Sequence, residues 1–478
     1  MDCQKPVVLP PEILLPNASV DLEKWAVIAC DQYTSNEAYW KRVEAFVGDS
    51  PSTLNLIFPE YYLGKVDEAK KIQQIRSAMR AYDEENVFTT HRGMILVERQ
   101  IGHATRYGLM AAIDLEAYDY TRASTSWIRA TEGTVAERIP PRMKIREGAP
   151  LELPHILVLV DDTEKLLIEP LVAIRDTLPV AYDFDLMMGS GHIRGYSLAD
   201  GEIERRVLAA VDRLRSDETL TKKYGPLNER NRILFAIGDG NHSLATAKEI
   251  WEKNKKAWGP DHPARYAMVE LENLHAAAQE FEPIHRIVSG LSGSLKNALT
   301  GEFGGTVTFE PFANRETLFA AVDATKDGVQ SFGLIEDGEF VKVTFAEPRS
   351  ALCVGSVQQF LDQLRKAGFF KEVDYLHGTE ELSALSDVKG NAGIYLPPVQ
   401  KNGFFEGIIK DGALQTNLLD QKTSLRLGKN EGDFNTFPSF RQIRPHFRSR
   451  RSKIYGLGQA GRVRRVPERK QTSRSRPP

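Results

Sequence analysis

The sequence predicts a mixed α/β protein built from several mixed sheets with flanking helices. Short apolar runs alternate with segments of helical period along most of the chain. A length of 478 residues exceeds what one core normally supports, so two or more domains are expected. A composition of 41% hydrophobic and 27% charged residues is that of an ordinary soluble chain. No apolar stretch approaches the roughly 18–20 residues that span a bilayer, so no membrane partner is predicted.

Residues 1–120 read as a first α/β unit. "KWAVIAC" and "TLNLIF" look like short strands, and between them Tyr39, Val43 and Phe46 recur at helical spacing. "VDEAKKIQQIRSAMRAYDEENVF" is a helix by composition and period, while "GMILVERQ" and "RYGLMAAIDLEAYDY" read as paired strands. Residues 121–290 form a central unit. Its opening carries Arg122, Arg129, Arg138, Arg142 and Arg146, followed by a strand-like "HILVLV", a clear helix in "LADGEIERRVLAAVDRLRSDE" and another strand in "ARYAMVELENLH". Residues 291–414 continue the α/β alternation through "QQFLDQLRKAGFF" and "NAGIYLPP". Beyond Leu414 no period of 2 or 3.6 persists. Residues 415–478 carry 16 Lys and Arg against 4 Asp and Glu, the composition of a disordered basic tail.

The overall charge of −3 therefore joins an acidic body to a basic tail. An acidic body argues against a nucleic-acid surface on the main fold, leaving residues 415–478 as the one segment suited to such a partner. Cys3, Cys30 and Cys353 lack metal-ligand spacing and suggest no disulfide framework. The amino terminus has no basic cluster ahead of an apolar core. A cytoplasmic location is expected.

Chemistry concentrates in "FAIGDGNHSLATAKEIW", residues 235–251, where a strand ends in glycine and a helix begins. Such a turn presents backbone N–H groups at the positive end of a helix dipole and favours an anion. Gly238 and Gly240 permit close approach, Asp239 or Ser243 suits a helix cap, and His242 suits a hydrogen bond to a phosphate oxygen. Asp239 is also the candidate Mg²⁺ ligand. The bland alternative is a capped helix with an incidental histidine. Arg129, Arg138 and Arg142 suit charge neutralisation around a phosphate, beside Thr131 and Glu132. Asp31, ending the "VIACD" run, suits a ligand cleft at a strand terminus. His192 and Arg194 in "MMGSGHIRGY", His285 in "PIHRIV" and His377 in "YLHG" are secondary candidates, each equally explained as structural.

These residues carry a resemblance. The 235–251 stretch resembles the "DGHHR…ETA" turn and helix of domain-of-unknown-function family 1015, and "VIACDQYT" stands where many members have "VVAPPYD". "ARYAMVELENLH…FEPIHRIV" and "YLHG…KGNAGIYLPP" resemble later motifs of the family, so the likeness runs over roughly residues 10–414. The turn also resembles the phosphate-binding turn of the ParB/sulfiredoxin superfamily, which includes partition proteins, sulfiredoxin and ADP-dependent free-serine kinases. That likeness implies a ParB/sulfiredoxin-like nucleotide-binding core in which Asp239, Gly240 and His242 form the phosphate loop. Asn241 stands for the usual first histidine and Ser243 for the usual arginine, so another arginine would have to supply the clamp.

Members commonly end in a "PRKTFSMGEA"-like sequence, whereas Leu414 is followed here by "QTNLLDQ". Residues 415–478 are accordingly either a basic tail or a frameshifted translation. The resulting expectation is a Mg²⁺-dependent phosphotransferase using ATP, ADP or CTP on a small hydroxyl metabolite, serine kinase-like with a serine-like hydroxyl as the sharper form, or a nucleotide hydrolase, with a phosphate or amino-acid-like small molecule as partner. Asp31, Glu132, Asp239 and His242 would be catalytic, and Arg129, Arg138, Arg142, Gly240, Asn241 and Ser243 would bind the nucleotide. A non-catalytic nucleotide-binding regulator and a tail-mediated nucleic-acid binder are the alternatives.

Overall fold

Alternating apolar residues build the larger of two main sheets in the computed structural model, which describes residues 5–28, 36–131, 139–153, 156–277, 283–326, 328–398, 401–412 and 440–441. Residues 1–445 form one packed unit; the other, 446–478, lies outside the described residues. The ten-stranded sheet runs in the order Val180–Asp185, His192–Ser197, Ile95–Ile101, Ala104–Asp114, Tyr266–Asn273, Leu157–Val160, Phe235–Asp239, Ile128–Arg129 and Tyr118–Asp119, with Val8–Leu9 paired to Ala104–Asp114 off this path. Tyr266–Asn273 runs parallel to Leu157–Val160, and Ile128–Arg129 runs parallel to both of its neighbours. The remaining pairs are antiparallel.

Both faces of this sheet are covered, so the alternation sorts side chains between two cores. Leu96, Leu109, Ala111, Ala267, Val269 and Leu271 pack with the helices Gly201–Leu214 and Asn241–Trp258. Val97, Met110, Ala112 and Met268 face the helices Glu37–Val47 and Glu68–Glu84 near the amino terminus. Further along that second face, Leu159 and Ala236 join the core of the other sheet.

The second sheet is antiparallel throughout, in the order Val307–Phe312, Glu339–Phe345, Gln330–Glu336, Asn391–Tyr395, Ile284–Ser289 and Glu372–His377. Phe332, Leu334 and Ile394 meet the helices Leu295–Phe303, Cys353–Lys366 and Lys401–Asp411 on one face. Ile335, Ile287 and Tyr395 meet Arg315–Asp323 and Thr379–Ser386 on the other. The changeover between the two sheets falls between Asn273 and Ile284. Beyond residue 412, only Phe440–Arg441 is described, paired with Leu151–Glu152.

Among the described residues, two expected strands are absent. The apolar run Trp25–Ile28 follows a one-turn helix, Leu22–Trp25, capped by Asp21 through the amides of Glu23 and Lys24. Its backbone bonds are then taken by a side chain distant in sequence: Thr53 Oγ1 donates to Trp25 O at 2.8 Å and accepts from Val27 N at 3.1 Å. "TLNLIF" begins as a 3₁₀ turn, Thr53–Asn55, capped by Ser52. Side-chain hydrogen bonds to the backbone compete here with a strand ladder. "PVVLPPEILLP" instead supplies two strands that its apolar content did not single out, Val8–Leu9 and Glu12–Pro16.

Candidate functional site

Strand Phe235–Asp239 is buried at Phe235, Ala236 and Ile237 and surfaces at Gly238 and Asp239. Gly238 sits at a register shift between Ile237 and Asp239. Gly240 then turns the chain through φ 83° and ψ 23°, a left-handed conformation that glycine adopts without steric cost. It is the cap of the 18-residue helix Asn241–Trp258 and brings no side-chain acceptor. The expected capping by Asp239 or Ser243 is therefore corrected: Asp239 Oδ1 instead accepts from Gly240 N at 2.6 Å. The helices Leu22–Trp25, Glu37–Val47, Glu68–Glu84, Gly201–Leu214 and Asp217–Tyr224 carry a side-chain cap, whereas Glu169–Ile174, Cys353–Lys366 and Thr379–Ser386 also start without one.

A second loop is fastened to this turn. Asn241 Oδ1 accepts from Thr131 N at 3.2 Å, and Asn241 Nδ2 donates to Thr131 Oγ1 at 3.2 Å. Thr131 Oγ1 in turn donates to Ile237 O at 2.6 Å. Thr131, within the arginine-rich segment, thus stands at the glycine turn. His242 and Asn241 are buried, Ser243 is half-buried, and His242 O accepts from Thr246 Oγ1 at 2.7 Å.

The arginines divide. Arg129 is buried at 3% exposure and donates to three carbonyls: Nε to Ser126 O at 2.9 Å, Nη1 to Arg230 O at 2.7 Å and Nη2 to Arg232 O at 3.2 Å. Burial draws its pKa down to about 10, leaving the guanidinium charged at neutral pH. These bonds make the arginine expected at a phosphate a brace between two loops. Arg122 Nε reaches Asp411 O at 3.5 Å, and Arg146 pairs with Glu152. Arg142 lies half-buried on helix Ile139–Arg146, which packs against helix Asn241–Trp258. Asp31, Glu132 and Arg138 lie outside the described residues.

His192 and His285, two of the secondary histidines, have structural partners. His285 is buried, stacks on Tyr395 at 4.5 Å, and its Nδ1 accepts from Leu396 N at 3.1 Å. His192 and Arg194 form a surface ion cluster with Asp183 and Asp185. The side chain of His377 lies outside the described residues.

One polar group was not legible as a site. Arg99, Arg106, Glu270 and Glu272 are all buried on the sheet face that also carries Val97 and Met268. Asp239 pairs with Leu157, and Leu157 with Glu270, placing Glu270 two strands from the glycine turn, about 10 Å between Cα atoms. "VELEN" alternates like a strand with one wet face; both faces being covered is what buries its glutamates.

Residues 14–364 match the family described as a protein of unknown function, DUF1015. The chain belongs to this family. No curated protein matches it. Among solved structures, a conserved hypothetical protein from Pyrococcus furiosus superposes with a TM-score of 0.32 at 9% identity, over 70% of this chain and 95% of that chain. A free serine kinase in complex with AMP gives 0.33 at 10% identity, over 70% and 91%. SbnI with C-terminal truncation from Staphylococcus aureus gives 0.29 at 10%, over 64% and 79%. At these scores the three define neither fold nor activity for this DUF1015 protein. Among the described residues, no helix is long and apolar enough to cross a membrane, and no group of three or more His, Cys, Asp and Glu is placed to hold a metal.

Proposed function

We propose that this DUF1015 protein binds the phosphates of a nucleotide at the Asp239–Ser243 turn and transfers a phosphoryl group to a small hydroxyl metabolite. The observation that carries the reading is the glycine cap: a long helix starts at the end of a buried strand with a left-handed glycine and no capping side chain. Backbone N–H groups and the helix dipole at such a start suit phosphate oxygens. The Thr131–Asn241 bonds fix the loop beside it, a rigidity that phosphoryl transfer requires because its catalysis is mainly positioning and charge neutralisation.

With Arg129 bracing the backbone, Arg142 and Arg138 are the arginines assigned to phosphate charge, and Asp31 or Glu132 to the base. Mg²⁺ commonly takes one or two carboxylates together with substrate phosphates, so Asp239 fits as its protein ligand. When bound, the ion would neutralise phosphate charge.

Calorimetric titration of ADP, ATP and CTP into the full chain, followed by phosphorus NMR of products formed with small hydroxyl metabolites, tests this reading. Saturable nucleotide binding and a new phosphate ester, both lost in Asp239→Ala, are expected. Binding without any product would leave a nucleotide-binding regulator. Undiminished turnover by Asp239→Ala would overturn the assignment.

A further inference from the structure

Period-two alternation carries the buried face of strand Tyr266–Asn273 from Tyr266 and Met268 to Glu270 and Glu272, both at 0% exposure. Arg106 faces them, with Nη2 3.5 Å from Glu270 Oε2 and Nε 3.1 Å from Glu272 Oε1. Arg99 pairs with Arg106 across the strands and donates Nη2 to Ser190 O at 3.0 Å. Two guanidinium groups and two carboxyl groups therefore share one buried patch. Burial raises the Glu270 carboxyl above its ordinary value, against the pull of Arg106 and Arg99.

Two glycines shape the patch. A Cβ on Gly108 would stand 1.9 Å from Glu270 Oε1, and a Cβ on Gly195 would stand 2.3 Å from Tyr182 Cζ. Gly195 pairs with Val97 and Val97 with Gly108, so the two glycines occupy one row of the sheet. Tyr182 leans over this row from one side and Glu270 from the other. Both are buried, yet among the described residues neither the Tyr182 hydroxyl nor Glu270 Oε1 has a hydrogen-bond partner. Buried polar atoms are almost always satisfied, so two orphans beside two guanidinium groups point to a small polar occupant.

The patch also lies at a seam. Met110 and Met268 belong to the core under the amino-terminal helices, whereas Leu159 and Ala236 belong to the core shared with the second sheet. Ligand sites favour such junctions.

We propose that this patch binds the zwitterionic head of a small α-amino acid, its carboxylate toward Arg99 and Arg106 and its ammonium between Glu270 and the Tyr182 oxygen. A lone anion or cation would bring uncompensated charge into a buried site, whereas a zwitterion matches both signs and adds none. The row joining Glu270 through Leu157 to Asp239 puts this head beside the glycine turn. Its role as phosphoryl acceptor rests on the proposed function; its binding does not.

The test titrates the common L-amino acids into the nucleotide-free full chain by calorimetry. For L-serine, 3-hydroxypropionate supplies the analogue without the ammonium and ethanolamine the one without the carboxylate; any better binder is truncated in the same two ways. Saturable amino-acid binding, weakened about tenfold or more by either truncation, is expected. Glu270→Gln should weaken it by a similar factor and leave ADP affinity unchanged, while Asp239→Ala should do the reverse. Absence of binding by every amino acid, equal binding of either truncated analogue, or wild-type affinity in a folded Glu270→Gln protein would overturn the proposal. Should that variant fail to fold, the analogue series on the wild-type chain decides alone. Amino-acid binding without nucleotide binding would uphold this site while removing the phosphotransferase reading.

Discussion

Asn241 holds Thr131 by both ends of its amide, accepting from the Thr131 backbone N–H and donating to its hydroxyl, each at 3.2 Å. This pair is the physical link between the first turn of helix Asn241–Trp258 and the loop that follows strand Ile128–Arg129. The family resemblance expects a histidine at this position. In this chain an amide supplies both an acceptor and a donor.

Asn241→Ala removes both bonds and leaves the buried Thr131 N–H without its acceptor. A loss of about 2–3 kcal/mol is expected. Urea unfolding monitored by tryptophan fluorescence measures it, and nucleotide titration of the folded fraction should show weaker binding because the neighbouring loop is released. A variant with wild-type stability would mean that the amide contributes nothing net.

Ser243 occupies the first helical turn where the family resemblance expects an arginine, and it is half-buried. Ser243→Arg adds a cation near the positive end of the helix, destabilising the unliganded protein by about 0.3–1 kcal/mol. With phosphate bound, a charge-assisted hydrogen bond worth about 1.5–3 kcal/mol should more than offset this. Roughly tenfold tighter ADP binding is the expected net result by calorimetry. Unchanged or weaker binding would remove the turn from the phosphate site.

How far these features were legible depends on the range of the interactions that create them. Helix Glu68–Glu84 and strands Ile95–Ile101, Ala104–Asp114 and Tyr266–Asn273 follow local periodicity and were readable from it. The Gly-Asp-Gly turn was legible for the same reason, since a strand, a glycine and a helix are consecutive. Arg129 was not, because its acceptors on Arg230 and Arg232 lie about a hundred residues away. Trp25–Ile28 failed as a strand because Thr53, distant in sequence, takes its backbone bonds. Glu270 and Glu272 look solvent-facing until the sheet is known to be covered on both sides.

Gly108 tests the shape of that covered face. Its absent Cβ would lie 1.9 Å from Glu270 Oε1 and 2.4 Å from Glu270 Cγ. Gly108→Ala must therefore push the buried Glu270 side chain aside, and overpacking of this kind costs about 1–3 kcal/mol. Thermal or urea unfolding should show the loss. Gly201→Ala is the control, because nothing stands within 4 Å of a Cβ there. Equal stability of the two variants would mean that Glu270 relaxes freely and the patch is not shaped as the sheet implies.

His192 gives the surface a pH dependence whose sign follows from its partners. Nε2 lies 2.6 Å from Asp183 Oδ1, and Nδ1 lies 2.7 Å from Asp185 Oδ1. Burial by itself lowers the imidazole pKa, but Asp185 and Asp183 more than reverse this, so the folded value stands above the ordinary 6.5. A group raised on folding contributes fully below its unfolded pKa and loses that contribution as pH climbs through the folded value. Stability from this cluster should therefore decline from about pH 6.5 upward. The side chain is 32% exposed, which limits the change to about 0.5 kcal/mol. Urea midpoints for wild type and His192→Gln across this range isolate the effect: the difference should be largest on the acid side and vanish on the alkaline side. A difference independent of pH would show that the imidazole acts by packing rather than by charge.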